Sequence, residues 1–330
     1  MQRSKWLREM FVRQSNTGSL RRSAADAQPS ENHSDFAKPD AGAHFAKGLQ
    51  AIIASLAVSA AIALPTIAIA QQLRLPEEQR WLEVQQMRGE VTYWQGQSSR
   101  PARVGDRLQQ VDHGLDTASQ SASVLALDTN IGVVRLAENT SLRVGNLLRL
   151  ADGGRVTSLN VNRGQARLQV RRFTHPSSEL EVETPAGVAA VRGTIFGVDV
   201  APAGKTRIAT FTGAVEASAQ GVTVLVNPGF GTIIVPGEPP TPPRRLDRAL
   251  RLQPGRVERT GGRIIVRGRV DPVNSVIIGD SVVETAPDGS FRASIGDSPT
   301  NFFANYYVEV RVRNPLGEER LHEVYVPDRS

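Results

Sequence analysis

The sequence predicts an all-β protein with two β domains, preceded by one hydrophobic export or membrane helix. Its 330 residues are more than one typical domain contains. Hydrophobic residues make up 40% of the chain and aromatic residues only 5%. The core must therefore consist of Val, Ile, Leu and Ala, which favours strands. Beyond Gly89, short apolar runs alternate with turn residues at the spacing typical of all-β domains.

The N-terminal part of the chain predicts export. Residues 1–47 are polar, basic and aperiodic, which predicts a disordered leader. Residues 48–70 contain no charged side chain, and a helix of that length spans about 35 Å, enough to cross a bilayer. The segment is either a signal peptide with its cleavage site at Ala68 and Ala70, or an uncleaved signal-anchor helix. Either way we expect the rest of the chain in the periplasm or cell envelope, soluble after cleavage or anchored by this single N-terminal helix.

The first β domain is predicted over residues 89–235, after a linker or short helix over residues 71–88. Its clearest strand is Gly164–Arg171, where Ala166 and Leu168 alternate with polar residues. No helical period is visible in the domain. We expect many short strands, arranged as a sandwich or as a roll or solenoid.

The polar side of this strand predicts a basic surface. Arg163, Arg167 and Arg171 recur at a spacing that places them on one side of an extended chain. They could contact an anionic envelope polymer. The alternative is an ordinary solvated sheet face, because isolated surface charges contribute little.

A proline-rich segment separates the second β domain from the first. Five prolines among the eleven residues from Pro236 to Leu246 predict an extended, semi-rigid linker over residues 236–255. Residues 256–330 again show short apolar runs, and Asp288 and Gly289 form a turn signal between two of them. This pattern predicts a small β-sandwich.

The residue types indicate no catalytic, cofactor or metal site. The chain has no Cys, which excludes disulfides, thiolate nucleophiles and Cys-ligated metals. His113, His175 and His322 lack the spacing of metal ligands. Glu181 and Glu183 point to the same side of a strand and could be glycosidase carboxylates, although a solvated sheet face gives the same pattern. We therefore expect a non-enzymatic protein, with a carbohydrate-active protein as the weaker alternative.

The most unusual stretch is Thr184–Phe196, in which Arg192 ends an almost wholly apolar run. A guanidinium in this position can bind loop carbonyls or pair with a carboxylate of a neighbouring strand. Glu183 and Asp199 are the candidate carboxylates. We expect Arg192 to be partly buried and to fix a turn; the alternative is that it contacts a partner or an anionic ligand.

Five motifs follow one another in the first β domain: Gly105–Leu108, Gly114–Leu127, Arg135–Leu142, Gly164–Leu168 and Thr184–Phe196. In this order, residues 84–235 resemble the FecR domain, named after the periplasmic regulator of ferric citrate uptake. The residues that carry the most specific motif of this resemblance are Thr184, Pro185, Val191, Arg192, Gly193, Thr194 and Phe196. Residues 256–330 are similar to the Ig-like modules of bacterial surface proteins.

The resemblance implies a protein-interaction or signal-sensing module outside the cytoplasm. Family members that regulate sigma factors carry a folded helical segment before the membrane span, a pattern that residues 1–47 lack. The alternative function is that of a structural, adhesion or cell-wall-associated protein without signalling.

The expected partner is a protein of the envelope. The membrane is a second contact, through residues 48–70, unless they are cleaved. We expect no cofactor and no nucleic acid, because the net charge of +6 rests on scattered Arg and the chain has only four Lys.

Overall fold

The computed structural model describes residues 79–296 and 307–327, which contain 24 strands and no helix. This part of the chain is therefore all-β, as predicted. The leader, the apolar segment over residues 48–70 and the expected cleavage site at Ala68 and Ala70 lie outside the described residues. Within the described ranges, no helix is long and apolar enough to cross a membrane.

Seventeen strands form the first domain. They are β1 (Leu82–Arg88), β2 (Val91–Gln95), β3 (Ser98–Pro101), β4 (Arg107–Leu108), β5 (His113–Thr117), β6 (Ala122–Leu127), β7 (Gly132–Leu136), β8 (Ser141–Arg149), β9 (Arg155–Val170), β10 (Glu179–Glu183), β11 (Val188–Val191), β12 (Ile195–Val200), β13 (Thr206–Thr212), β14 (Val215–Ala219), β15 (Val222–Val226), β16 (Phe230–Ile234) and β17 (Arg244–Arg245).

These strands form two packed sheets. Sheet A has the order β4-β1-β6-β7-β9-β12-β13-β16-β17. Sheet B has the order β3-β2-β5-β8-β9-β10-β11-β14-β15. Pairing is antiparallel except between β9 and β10, which run parallel. After β9, successive hairpins belong alternately to sheet B and sheet A. Within each sheet, the later hairpin pairs with the outer strand of the earlier one.

The long strand β9 belongs to both sheets because it bends at Gly164. Residues before the bend pair in sheet B, and residues after it pair in sheet A. Gly164 has a left-handed φ of 81°, and a Cβ there would lie 2.5 Å from Cα of Thr140. Only glycine fits this close approach. The core between the sheets consists almost entirely of Val, Leu and Ala from alternate strand positions.

Strand β1 corrects the end of the linker or short helix predicted over residues 71–88, because Leu82–Arg88 belong to the first β domain. Leu82 and Val84 are completely buried, and β1 pairs with β6 along its whole length. The spacing of Leu82 and Val84 is the period of a strand. The pairing partner lies about 40 residues away in the chain, and such non-local pairing is not visible in a local pattern.

Seven further strands form a second two-sheet module. They are β18 (Gln253–Thr260), β19 (Arg263–Arg269), β20 (Ser275–Ile278), β21 (Ser281–Val283), β22 (Ser290–Gly296), β23 (Tyr307–Arg313) and β24 (Glu319–Tyr325). Sheet C has the order β18-β19-β22, and sheet D has the order β21-β20-β23-β24. Apolar side chains from both sheets, among them Ile264, Val266, Val276 and Val310, form a separate core.

The extended, semi-rigid linker predicted over residues 236–255 is partly paired and partly buried. Strand β17 pairs with β16 at the edge of sheet A, and Leu246 and Leu250 are buried. Leu246 packs in a small cluster with Ile233 of the first domain and Val273 and Leu316 of the second module. The two modules therefore pack directly against each other, because the segment between them carries apolar side chains that need burial.

Candidate functional site

The Thr184–Phe196 motif occupies the crossover from sheet B to sheet A. Its first half forms the turn between β10 and β11 and the strand β11 of sheet B, and its last residues enter β12 of sheet A. The Thr184 hydroxyl donates to the Gly187 carbonyl at 2.8 Å and accepts from the Gly187 amide at 3.2 Å. These bonds close the turn that contains Pro185.

Four motif residues fix the second half of the crossover. Gly193 has a φ of 140°, and a Cβ there would overlap the backbone of Arg172. The Thr194 hydroxyl donates to the Ala214 carbonyl at 3.0 Å. Phe196 is completely buried in the core between the sheets, and Val191 is nearly so. Most of the motif therefore has a structural role.

Arg192 is the exception, and the expected carboxylate pairing was wrong. Its side chain is exposed and donates to the carbonyl oxygen of Pro176. The Glu183 carboxylate instead accepts from the Ser158 hydroxyl at 2.7 Å, and Asp199 pairs with Arg207. Arg192 lies where the chain leaves sheet B, and its exposed side chain pairs with neither of these carboxylates.

A groove of about 390 Å³ surrounds this exposed arginine. We call it the motif groove. Small residues, among them Ala190 and Gly213, leave the space, and Leu225 of β15 lies at its rim. Its charged lining residues are of both signs: Arg172, Arg192, Glu179 and Glu216.

The motif groove ends at an open strand edge. Among the described residues, β15 pairs only with β14. Gln220 and Gly221 both have left-handed φ values and form the two-residue turn of this hairpin. In that register, alternate main-chain groups of β15, those of Thr223 and Leu225, point away from β14. Val222 is 44% exposed and Leu225 is 52% exposed, so the edge is apolar and accessible.

Residues 114–216 match the family model of FecR protein. The matched segment begins in β5 and ends in β14, so it contains the whole Thr184–Phe196 motif and most of the motif groove. The predicted range of 84–235 is wider than this match. No curated protein matches the chain.

Two crystal structures similar to this chain are those of a protein assigned as an anti-sigma factor from Parabacteroides distasonis ATCC 8503. One, at 2.50 Å resolution, is 16% identical, with a TM-score of 0.33. The other, at 1.65 Å resolution, is 17% identical, also with a TM-score of 0.33. In both cases the match covers 40% of this chain and 59% of the other, so it spans under two thirds of that protein.

The carboxylates Glu181 and Glu183 lie on the outer face of sheet B, next to the FecR-matching motif. They share this face with Glu179, which is the only one of the three that lines the motif groove. Burial raises the pKa of Glu181, and Glu179 and Glu183 raise it further. Because neither Glu181 nor Glu183 lines the groove, the two carboxylates do not face each other across it, as the carboxylates of a glycosidase site would.

The expected basic surface of Arg163, Arg167 and Arg171 is not one continuous stripe. Arg163 lies before the bend of β9 and pairs with Asp116 at 3.6 Å. Arg167 lies after the bend, half-buried, with its guanidinium 5.8 Å from the ring of Phe211; burial lowers its pKa. Arg171 is exposed beyond both. The bend at Gly164 separates residues that a straight strand would align.

A buried ion pair is the polar feature that the sequence patterns did not reveal. Arg207 is completely buried and its Nη1 lies 3.2 Å from the Asp199 carboxylate. The same guanidinium donates to the Thr285 hydroxyl at 2.9 Å and contacts the Pro272 carbonyl at 3.4 Å. It therefore links sheet A to the second module. A usable signal was a single charge of opposite sign in each of two otherwise uncharged strands.

Lys205 adds a second contact between these two parts. Its ammonium group binds the Thr285 carbonyl and lies 3.4 Å from the Glu284 carboxylate. Burial lowers the pKa of Lys205, and the neighbouring Arg207 lowers it further. Lys205 and Arg207 thus both bind Thr285, which lies just before the turn that leads into β22.

The three histidines remain apart in the structure. His113 contacts the Tyr93 hydroxyl at 3.2 Å, and His322 contacts the Leu250 carbonyl at 2.8 Å. His175 lies near the Ser177 amide. In the part of the chain that the structure describes, no three His, Asp or Glu residues are grouped as metal ligands.

Proposed function

We propose that this protein is an exported, non-enzymatic envelope protein that senses a signal by binding a protein partner. The contact surface is the motif groove together with the open edge of β15, which we call the partner face. The observation that carries this proposal is the position of the FecR-matching motif. Its residues line a groove that runs directly into an unpaired, apolar strand edge.

An extended segment of the partner can bind the partner face by adding a strand to sheet B. The outward main-chain groups of Thr223 and Leu225 supply hydrogen bonds that do not depend on the partner's sequence. The motif groove beside them receives a side chain and supplies selectivity. Its arginine and glutamate side chains favour a partner segment with a complementary charge pattern.

The opposite edge of sheet B, strand β3, is protected against pairing with a strand of another molecule. Strand β3 is exposed throughout, but it contains Arg100 and ends at Pro101, and both oppose edge-to-edge pairing. Strand β15 has neither a charge nor a proline. An unprotected apolar edge is a liability unless it has a partner, which supports a binding role for β15.

Replacement of Leu225 by arginine tests this proposal. The added charge should disfavour strand addition, because burial of an unpaired cation is costly. The matched control is Val104→Arg, since Val104 is 63% exposed and lies outside the partner face. We expect one envelope protein to co-purify with the wild type and Val104→Arg and to be reduced at least about tenfold with Leu225→Arg.

Equal recovery of every co-purifying protein with both variants would contradict the proposed contact surface. Loss of all of them with Val104→Arg as well would show that the binding does not depend on the partner face. Thermal denaturation of each variant checks that the domain remains folded.

The proposal of export rests on the uncharged segment over residues 48–70. If this segment is a cleaved signal peptide, N-terminal sequencing of the protein purified from the envelope fraction should start at Gln71. An intact N-terminus in the membrane fraction would indicate a signal anchor. Recovery of the intact protein from the cytoplasm would refute export.

We also infer that residues 256–330 are an Ig-like module. Seven antiparallel strands in two sheets with a common core support this assignment. The module packs on sheet A and leaves the partner face uncovered by any described residue. An adhesion or cell-wall role without signalling is the alternative, and it would place the main binding surface on this second module.

A further inference from the structure

The outer face of sheet C forms an open groove of about 770 Å³. Four chain segments build it side by side: the starts of β18 and β22, the end of β19 and residues 284–286. A bulge in β18 between Pro254 and Val257 curves the sheet. Gly255 and Gly268 contribute no side chains at the curve. The result is a wide, shallow depression in the sheet face.

Arginine dominates the charge of this groove. Arg256, Arg267, Arg269 and Arg292 all line it, together with one carboxylate, Glu284, which lies 3.4 Å from Lys205. The side chains of Arg256, Arg267 and Arg269 are 81%, 37% and 56% exposed, so each can reach a ligand without unfolding the sheet. We call this surface, defined by its four arginines, the arginine groove.

Three of these arginines converge on one carboxylate. Arg267 lies 2.9 Å from Glu258, and Arg256 lies 3.5 Å from it. Arg292 is the direct cross-strand neighbour of Arg267 and also acts electrostatically on Glu258. Together they lower the pKa of that carboxyl, with the hydrogen bond from Arg267 as the largest cause.

This arrangement leaves positive charge without full compensation. Like charges directly opposite each other on neighbouring strands destabilise a sheet, as Arg267 and Arg292 do here. Glu258 neutralises one of three cations, and Asp288 pairs with Arg269 at 2.7 Å. A further anion in the groove would relieve the repulsion and form charge-assisted hydrogen bonds with guanidinium groups. Glu258 already shows that a carboxylate fits between them.

We propose that the arginine groove binds an anionic glycan through its carboxylate or phosphate groups. The depression along the sheet face accommodates a polymer chain. The lining offers no exposed aromatic ring for base stacking, because its single aromatic residue, Phe291, is only 6% exposed. A glycan is therefore favoured over a nucleic acid. This inference does not depend on the proposed partner face.

Binding of defined polymers to the full-length protein tests the proposal. The probes are polygalacturonate, which carries carboxylates, dextran phosphate, which carries phosphates, and neutral dextran. We expect at least one of the two anionic polymers to bind at about 0.15 M salt and to remain measurable at about 0.5 M, where diffuse surface attraction is screened. Dextran should not bind.

Variants show whether the arginine groove is the site. Arg267→Gln/Arg292→Gln should weaken binding of that polymer by about tenfold or more. Arg256→Gln/Arg269→Gln provides a second pair in case the first perturbs the sheet. The matched control is Arg163→Gln/Arg171→Gln, which removes the same charge from the first domain.

Equal weakening by the groove pairs and the control pair would overturn the proposal, because it would indicate attraction to net charge alone. Absence of binding by both anionic polymers would also overturn it. Tighter binding of single-stranded RNA than of either glycan, lost with the same groove variants, would replace the glycan with nucleic acid as the ligand.

Discussion

At the residue scale, two arginines have opposite environments. Arg192 follows an apolar run and Arg207 follows Lys205 and Thr206, yet Arg192 is exposed and Arg207 is completely buried. Arg207 faces the outer side of sheet A, which the second module covers. Its burial depends on packing between segments about 80 residues apart, as its bond to Thr285 shows. A local sequence pattern cannot reveal such a contact, and for this reason the burial of Arg192 was predicted instead.

Substitution of the two arginines should separate these roles. Arg207→Met leaves Asp199 buried without its cation, and loss of one partner of a buried pair typically costs about 3–5 kcal/mol. Arg192→Ala removes one exposed hydrogen bond and should leave the melting temperature almost unchanged. Thermal denaturation measures both.

The double variant Asp199→Leu/Arg207→Met is the control, because it removes both charges and should recover much of the lost stability. A larger loss of thermal stability with Arg192→Ala than with Arg207→Met would contradict the assignment of Arg207 as the structural arginine.

At the scale of elements, turn residues and the two-residue period predicted many short strands in the first domain. The strand over Gly164–Val170 is an example. Two elements were not predictable in this way. Leu82–Arg88 pairs with a distant strand, and residues 236–255 dock on both modules. In each case burial against residues distant in the chain determines the structure, whereas the local composition predicted a linker.

Gly197 of β12 is the element-scale test of the contact between the modules. A Cβ at this position would overlap the carbonyl oxygen of Pro315, so Gly197→Ala should displace the β23–β24 turn from sheet A. Nearby, Gln165 donates to the Asn314 carbonyl at 2.7 Å, and this bond should break. We expect faster amide hydrogen exchange over residues 314–317 and no change in β6 and β7.

Gly96→Ala is the control, because no other atom lies within 4 Å of a Cβ built there. Its cost should be limited to left-handed backbone strain of about 1–2 kcal/mol. Unchanged exchange over residues 314–317 in Gly197→Ala would contradict the tight contact.

At the scale of the whole molecule, the packing of the second module assigns different roles to the two sheets. Contacts of Gly197, Arg207 and Lys205 with the second module occupy the outer face of sheet A. The outer face of sheet B has no cover among the described residues, and it carries the motif groove and the open β15 edge. The candidate site was predictable from sequence only in part. The motif was identifiable, but its position beside an unpaired edge follows from the strand order.

The central claim is that a partner protein binds the motif groove and the edge of β15. Site-specific photocrosslinking in intact cells tests it most directly, with benzoylphenylalanine placed at Leu225 or Val222 and, as controls, at Val104 or Leu321, all of which are exposed. We predict that both positions on β15 give a crosslink to the same envelope protein and that neither control position does. A crosslink to that protein from a control position, with none from Leu225 or Val222, would contradict the account.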